Sequence, residues 1–174
     1  MTEEKDAYEL LDEEVTGEYN PLFTVDKTDY KRECGDCTMC CQGWLSGQVY
    51  EYTMSKNNPC HFLDQCGDRC TIYKDRPEMC QNYKCEWLQQ PVCFPLWMRP
   101  DKVNVIITWR EGEYQGQKIG YWSARECGKT MEAHVLNWII QTARQHNVNV
   151  CYEINDVRYM FGDPVFEEYM KNEL

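Results

Sequence analysis

The segment Cys34-Gly-Asp-Cys37-Thr-Met-Cys40-Cys41 packs four thiols into eight residues and opens a run of ten cysteines that ends at Cys93. Cys60, Cys66, Cys70, Cys80 and Cys85 lie between, and only Cys127 and Cys151 fall outside the run. A thiolate is a soft ligand, and two of them separated by two residues can wrap one metal centre from a single tight turn. The chain has only three histidines, so the donor set is nearly all sulfur. Such a set suits zinc or an iron–sulfur cluster.

An even count of cysteines also suits a disulfide framework. The start of the chain, Met1-Thr-Glu-Glu-Lys-Asp-Ala-Tyr-Glu, is acidic and has no apolar run, unlike a secretory leader. The expected compartment is therefore reducing and cytoplasmic, where thiols serve as metal ligands rather than bridges.

Spacing narrows the chemistry further. Cys34, Cys37 and Cys40 match the first three ligands of the bacterial ferredoxin run, C-x2-C-x2-C-x3-C-P. The fourth ligand would fall on Trp44, so an ordinary ferredoxin loop is excluded. Adjacent Cys40 and Cys41 are expected to point apart, one of them serving a second centre or standing behind the ligands. On a continuous helix, Cys80 and Cys85 would be separated by about 140° around the axis. Both features suggest two centres, or one cluster with widely spread ligands.

Several motifs in order resemble the CxxCxxCC family, described as a zinc- or iron-chelating domain. They are Cys34-x2-Cys37-x2-Cys40-Cys41, then Pro59-Cys60-x-Phe62-Leu63, then Cys70-Thr-Ile72-Tyr73-x-x-Arg76-Pro77-x-x-Cys80. The likeness continues through Cys85-Glu-Trp87-Leu88 to Arg99-Pro100-Asp101 and covers roughly residues 34 to 101. The resemblance implies eight candidate ligands: Cys34, Cys37, Cys40, Cys41, Cys60, Cys70, Cys80 and Cys85. Flagellin lysine N-methyltransferase, a distant relative of that family, is associated with a [4Fe-4S] cluster. The resemblance thus implies a [4Fe-4S] cofactor, with zinc as the alternative, and admits an enzyme that modifies a protein side chain. No Ser/His/Asp or Cys/His catalytic arrangement is visible, so no catalytic residue is assigned. Cys66 has no assigned role, and Cys93, Cys127 and Cys151 read as ordinary packed thiols.

The formal net charge is −11, which argues against a nucleic-acid partner, since phosphate binding needs clustered Lys and Arg. No stretch approaches the roughly 20 apolar residues that span a bilayer. Residues 1 to 18 carry eight carboxylates against one lysine, Lys5, or −7. That acidic lead-in suits a protein partner.

Three segments follow: an acidic lead-in over 1–30, a cysteine-rich metal-binding region over 31–98, and an α+β half over 99–174. The middle segment lacks apolar periodicity and is rich in turn formers, so metal–sulfur bonds must supply much of its folding energy. Asp75-Arg76-Pro77-Glu78 predicts a helix start, with Met79, Tyr83 and Trp87 as one stripe. Alternation predicts a strand over 103–109, a turn from Glu111-Gly112 to Gly116, and a strand over 118–125. A helix over 129–146, strands over 148–154 and 157–161, and a helix opened by Asp163-Pro164 complete the half. The fold class expected is α+β, a small antiparallel sheet and two helices packed with an irregular cysteine-rich half.

Weaker signals have bland readings. Gly128-Lys129-Thr130 resembles the end of a phosphate-binding loop, but the glycine required five residues earlier is Ser123, so it reads as a strand-to-helix turn. His61, beside Cys60, reads as a packed or solvated histidine.

Overall fold

The computed structural model describes residues 32–56 and 58–173; the acidic lead-in lies outside them. The protein is of the α+β class. A 3-10 turn at Met39–Gln42 is followed by two short antiparallel strands, β1 (Gly47–Val49) and β2 (Tyr52–Met54). Three short helices come next: α1 (Glu78–Asn82), α2 (Glu86–Gln89) and α3 (Pro100–Val103). Then follow β3 (Val105–Tyr114), β4 (Gln117–Glu126), α4 (Ala133–His146), β5 (Asn149–Ile154), β6 (Val157–Phe161) and α5 (Pro164–Asn172).

The larger sheet has the order β3-β4-β5-β6. β3 and β4 form a hairpin whose two-residue turn, Gln115–Gly116, has φ of 51° and 76°. Positive φ at both positions is what the right-handed strand twist favours, so both strands run longer than the alternation predicts. β5 and β6 pair antiparallel as expected, but β4 and β5 run parallel, with Trp122 opposite Val150. The sheet is therefore mixed rather than antiparallel. The cause is α4: a 14-residue helix carries the chain back to the end where β4 began, as parallel pairing requires.

α4 buries Val135, Ile139, Ile140 and Ala143 on one stripe. It stops at Asn147 in the left-handed region (φ 54°), whose N–H bonds the carbonyls of Ala143 and Arg144. This stripe packs on the sheet face formed by Val105, Ile107, Trp122, Ala124 and Val150. Ile139 and Val150 are fully buried, and each contributes about 1.5–3 kcal/mol relative to exposure. The opposite face is shared. Ile119 and Cys151 meet Phe166, Tyr169 and Met170 of α5, whereas Ile106 meets Met39 of the cysteine-rich region. α5 starts as expected, with Asp163 Oδ1 accepting from Phe166 N at 2.8 Å.

The cysteine-rich region is not separate from this core. Trp87, Phe94 and Met98 belong to the same cluster as α4 and the sheet, with the Phe94 ring 5.1 Å from Trp122 and 5.3 Å from Trp138. Arg32 ties this corner down: it lies 4.7 Å over Trp87 and donates to the carbonyls of Trp87, Pro91 and Phe94. Among the described residues no helix is long and apolar enough to cross a membrane.

Candidate metal centre

The first cysteines are placed by tight backbone turns. Cys37 N bonds Cys34 O at 3.0 Å, and Cys41 N bonds Thr38 O at 2.8 Å. Thr38 Oγ1 in turn donates to Gly67 O at 2.6 Å, pinning this turn to the next loop. Gly43 ends it at φ +89°, where an added side chain would meet the Ser55 carbonyl. Only glycine fits there.

Backbone bonds then bring distant thiols alongside. Cys60 N bonds Cys41 O at 2.8 Å. Leu63 and Cys70 form an isolated antiparallel bridge, so the chain doubles back from Cys60 to Cys70. Cys66 sits at the exposed tip of that loop, off the cavity described below. α1 carries Cys80, and Cys85 is the residue that starts α2.

The single helix expected through Met79, Tyr83 and Trp87 is thus broken between Tyr83 and Cys85. Tyr83 and Cys85 both have extended backbone, and Met79 is exposed while Trp87 is buried. The break turns Cys80 and Cys85 toward different surroundings.

Seven of the eight candidate ligands line one cavity of about 950 Å³: Cys34, Cys37, Cys40, Cys41, Cys60, Cys70 and Cys80. Cys85 does not line it; it packs behind, against the cluster of Met39, Ile106 and Cys127. The Sγ atoms of Cys40 and Cys41 lie 3.9 Å apart. The expectation that this adjacent pair points apart is therefore corrected: the 3-10 turn directs both side chains to the same cavity. All twelve cysteines are free thiols. Among the described residues, no three His, Cys, Asp or Glu side chains come together closely enough to hold a metal ion. The thiols surround a volume rather than a point.

Electrostatics agree with this crowding. The Cys40 thiol is pushed well above its ordinary range by its contact with Cys41 and by burial. Burial, then Cys40, raises Cys34. Burial raises Cys80 too, with Cys60, Cys40 and Cys70 adding to it. Cys85 is pushed up to about 12 by burial, with Cys34, Cys37 and Cys40 contributing. Five cations line the cavity (Arg69, Arg76, Lys84, Arg110 and Arg125) against one carboxylate, Glu33. Arg69 and Arg76 stand on the cavity wall with the thiols; Arg32 lies off it, bonded at the Trp87 corner, where the Cys85 thiol bears on it. Arg110 and Arg125 were not anticipated. Their signal was the alternation of β3 and β4, which puts Arg110 on the same face as Thr108 and Ile106, with Arg125 paired opposite Ile106.

The remaining thiols have ordinary surroundings. Cys151 lies in the α5 cluster, on the sheet face opposite Val150 and Tyr152. Cys93 packs at the edge of the main core. Cys127 is buried beside Met39 and Ile106, near Cys37 and Cys85, and is pushed up to about 12 by burial. His61 stacks on Tyr52, with ring centroids 3.7 Å apart. Gly128-Lys129-Thr130 forms the connection to α4, with Thr130 bonded to Asn155 and Glu126 accepting from Met131 N and Asn155 N.

A pH dependence follows. The unfolded chain releases its thiol protons near the ordinary value of 9.0, whereas the folded, metal-free protein holds those of Cys34, Cys40, Cys80 and Cys85 to higher pH, about 12 at Cys85. The unfolded state then binds fewer protons over this range, so stability falls as pH rises. Metal-free, reduced protein should show a steady urea midpoint between about pH 7 and 8 and a declining one above about pH 9. Loading should reverse the trend, because metal binding removes those protons in the folded state. A midpoint that rises with pH in the metal-free protein would overturn this.

Compared with family models, curated proteins and solved structures, the chain matches none.

Proposed function

We propose that this chain is a cytoplasmic metal-binding protein whose cavity holds a cysteine-ligated iron–sulfur cluster, [4Fe-4S]. The observation that carries the reading is the convergence of seven thiols, from the turn over 34–41, from Cys60, from Cys70 and from Cys80 of α1, on one cavity of about 950 Å³. The donor set fits: four thiolates suffice for the cluster, and the candidates exceed that number. A cube of iron and sulfide spans more space than one ion, which agrees with thiols spread around a volume. The charge agrees as well. A +2 core with four thiolates leaves −2, and five cations on the walls against one carboxylate offset it. When bound, such a cluster supplies one-electron transfer. The residues of this chain hold it, screen it from solvent and set its charge environment. The likeness to the CxxCxxCC pattern points the same way, and a protein partner is part of the reading.

One observation favours a second reading, a zinc-stapled interaction module without catalysis. Two thiolates on one tetrahedral zinc, with Zn–S near 2.3 Å, lie about 3.8 Å apart, and the Cys40 and Cys41 sulfurs are separated by 3.9 Å. The cavity rim also exposes Tyr73, Met79 and Trp109, a surface suited to a protein partner. A third reading, an enzyme acting on a protein side chain, rests on the family resemblance alone.

Purification without oxygen, followed by metal analysis and absorption spectroscopy, separates the first two. The cluster reading expects brown protein with about four iron per chain and broad absorption near roughly 400 nm that bleaches with dithionite. Colourless protein with about one or two zinc per chain and no iron would replace it with the zinc module.

A further inference from the structure

The walls of the thiol cavity carry a net +4, from Arg69, Arg76, Lys84, Arg110 and Arg125 against Glu33, in a chain whose formal net charge is −11. Among the described residues Arg69 pairs with Asp64 at 3.3 Å, and Arg76 lies 3.8 Å over the Tyr73 ring. Lys84, Arg110 and Arg125 have no carboxylate within ion-pair distance among those residues. Lys84 and Arg110 are also exposed. On the same rim stand three large exposed side chains, Tyr73, Met79 and Trp109. Unpaired cations beside exposed aromatic and thioether groups form the complement of an acidic segment that also carries apolar side chains.

This chain carries such a segment. Residues 1–31 hold ten carboxylates against three lysines, a net −7, and their most acidic part, residues 3–18, includes Tyr8, Leu10, Leu11 and Val15. The described residues begin beside the cavity: Arg32 is bonded at the Trp87 corner, and Glu33 and Cys34 stand on the cavity wall. The intervening stretch, 19–31, can extend roughly 40 Å, far more than the width of a cavity of about 950 Å³. Being part of the same chain gives the acidic segment an effective concentration on the order of millimolar, so individually weak ionic contacts suffice. We propose that residues 3–18 dock across the open face of the thiol cavity. Their carboxylates meet Lys84, Arg110 and Arg125, their apolar side chains meet Tyr73, Met79 and Trp109, and the docked segment covers the thiols. Walls of +4 stay positive even beside a cluster of −2, so the docking does not rest on the metal-binding reading.

The test uses full-length, metal-free, reduced protein and a carbodiimide, which joins a carboxylate to a lysine only where the two touch. At low salt, Lys84 should become joined to a carboxylate of residues 3–18, whereas Lys118 and Lys171, which lie off the cavity, should not. Mixing isotopically heavy and light protein separates joining within one chain from joining between copies. A second measurement reads the cover itself. Replacing the eight carboxylates of residues 3–18 in the full chain (each Glu→Gln, each Asp→Asn) should make a maleimide alkylate the cavity thiols about 5- to 10-fold faster at low salt. Salt at about 1 M, where the Debye length falls to about 3 Å, should speed the wild type in the same way. Cys66, exposed and off the cavity, should react at one rate throughout.

The absence of any bond from residues 3–18 to Lys84, or equally frequent bonds to Lys118 and Lys171, would overturn the proposal. Bonds formed only between heavy and light chains would do so too, by making a second copy the occupant. Equal alkylation of wild type and variant at low salt would also overturn it, by showing that this face stands open in the isolated chain. No metal enters either measurement, so failure here leaves the metal-binding reading standing.

Discussion

Changing Cys80 to serine in the full chain should strip the site of most of its metal, with affinity falling roughly 100- to 1,000-fold. Cys80 lines the cavity, and its thiol is in the electrostatic field of Cys60, Cys40 and Cys70. Structural thiolate sites bind with about 10–16 kcal/mol, so losing one ligand of four costs about 3–4 kcal/mol. Serine does not compensate, because an alkoxide is a hard ligand and a hydroxyl scarcely a ligand for these ions. Among Cys34, Cys37, Cys41, Cys60 and Cys70, serine at those that complete the set of four should act in the same direction, and the cavity cysteines beyond that set should tolerate it. Serine at Cys66, on its exposed loop tip, or at Cys151, packed in the α5 cluster, should leave the load intact. Anaerobic reconstitution with metal counted per chain checks this. Full loading of the Cys80 variant, or an empty Cys151 variant, would mean that the centre is elsewhere.

Removing metal should open residues 43–82 to protease at least about tenfold faster than in the loaded protein, while residues 99–173 resist in both. The reason is the distribution of core. Between Gly43 and Asn82 the buried apolar set is small, Val49, Met54 and Cys60, with a few partly buried neighbours. Two three-residue strands and isolated bridges hold the rest. Such a segment opens easily unless something ties its loops together, and thiolate–metal bonds from Cys41, Cys60, Cys70 and Cys80 would do so. Residues 86–98 belong with the resistant part, because Trp87, Phe94 and Met98 are packed into the main core. Mass spectrometry of the first fragments, in reducing buffer, locates the cuts. Equal cutting rates with and without metal would sink the idea that metal supports this region.

The α+β half was legible because its information is local. The Val135, Ile139, Ala143 stripe needs only helical spacing to be recognised, and Asp163-Pro164 carries a cap and a first-turn proline together. The strands of β3 and β4 show in their alternation, although their ends do not: Glu111 to Tyr114 read as turn but pair with Gln117 to Gly120. Cross-strand pairing overrode the local turn signal there. The parallel step from β4 to β5 was also obscured, since alternation reveals a strand but not the direction of its neighbour.

The cysteine-rich region divides differently. Residue type and spacing were enough to identify sulfur donors and a set of eight candidates, because ligand chemistry belongs to the side chain itself. Which thiols share a space depended on the folded backbone. The 3-10 turn at Met39–Gln42 directed Cys40 and Cys41 together, against what adjacency in an extended chain would do. Cys80 and Cys85 lie on either side of the break after Tyr83, and only Cys80 lines the cavity. Arg110 and Arg125 reached the thiols only because the sheet offers that face to the loops, across 25 residues or more from the nearest candidate ligand in sequence. Donor identity is a property of single residues and survives in any conformation; proximity is a property of pairs, and only the folded backbone creates it, by local turns for neighbours and by long-range packing for the rest.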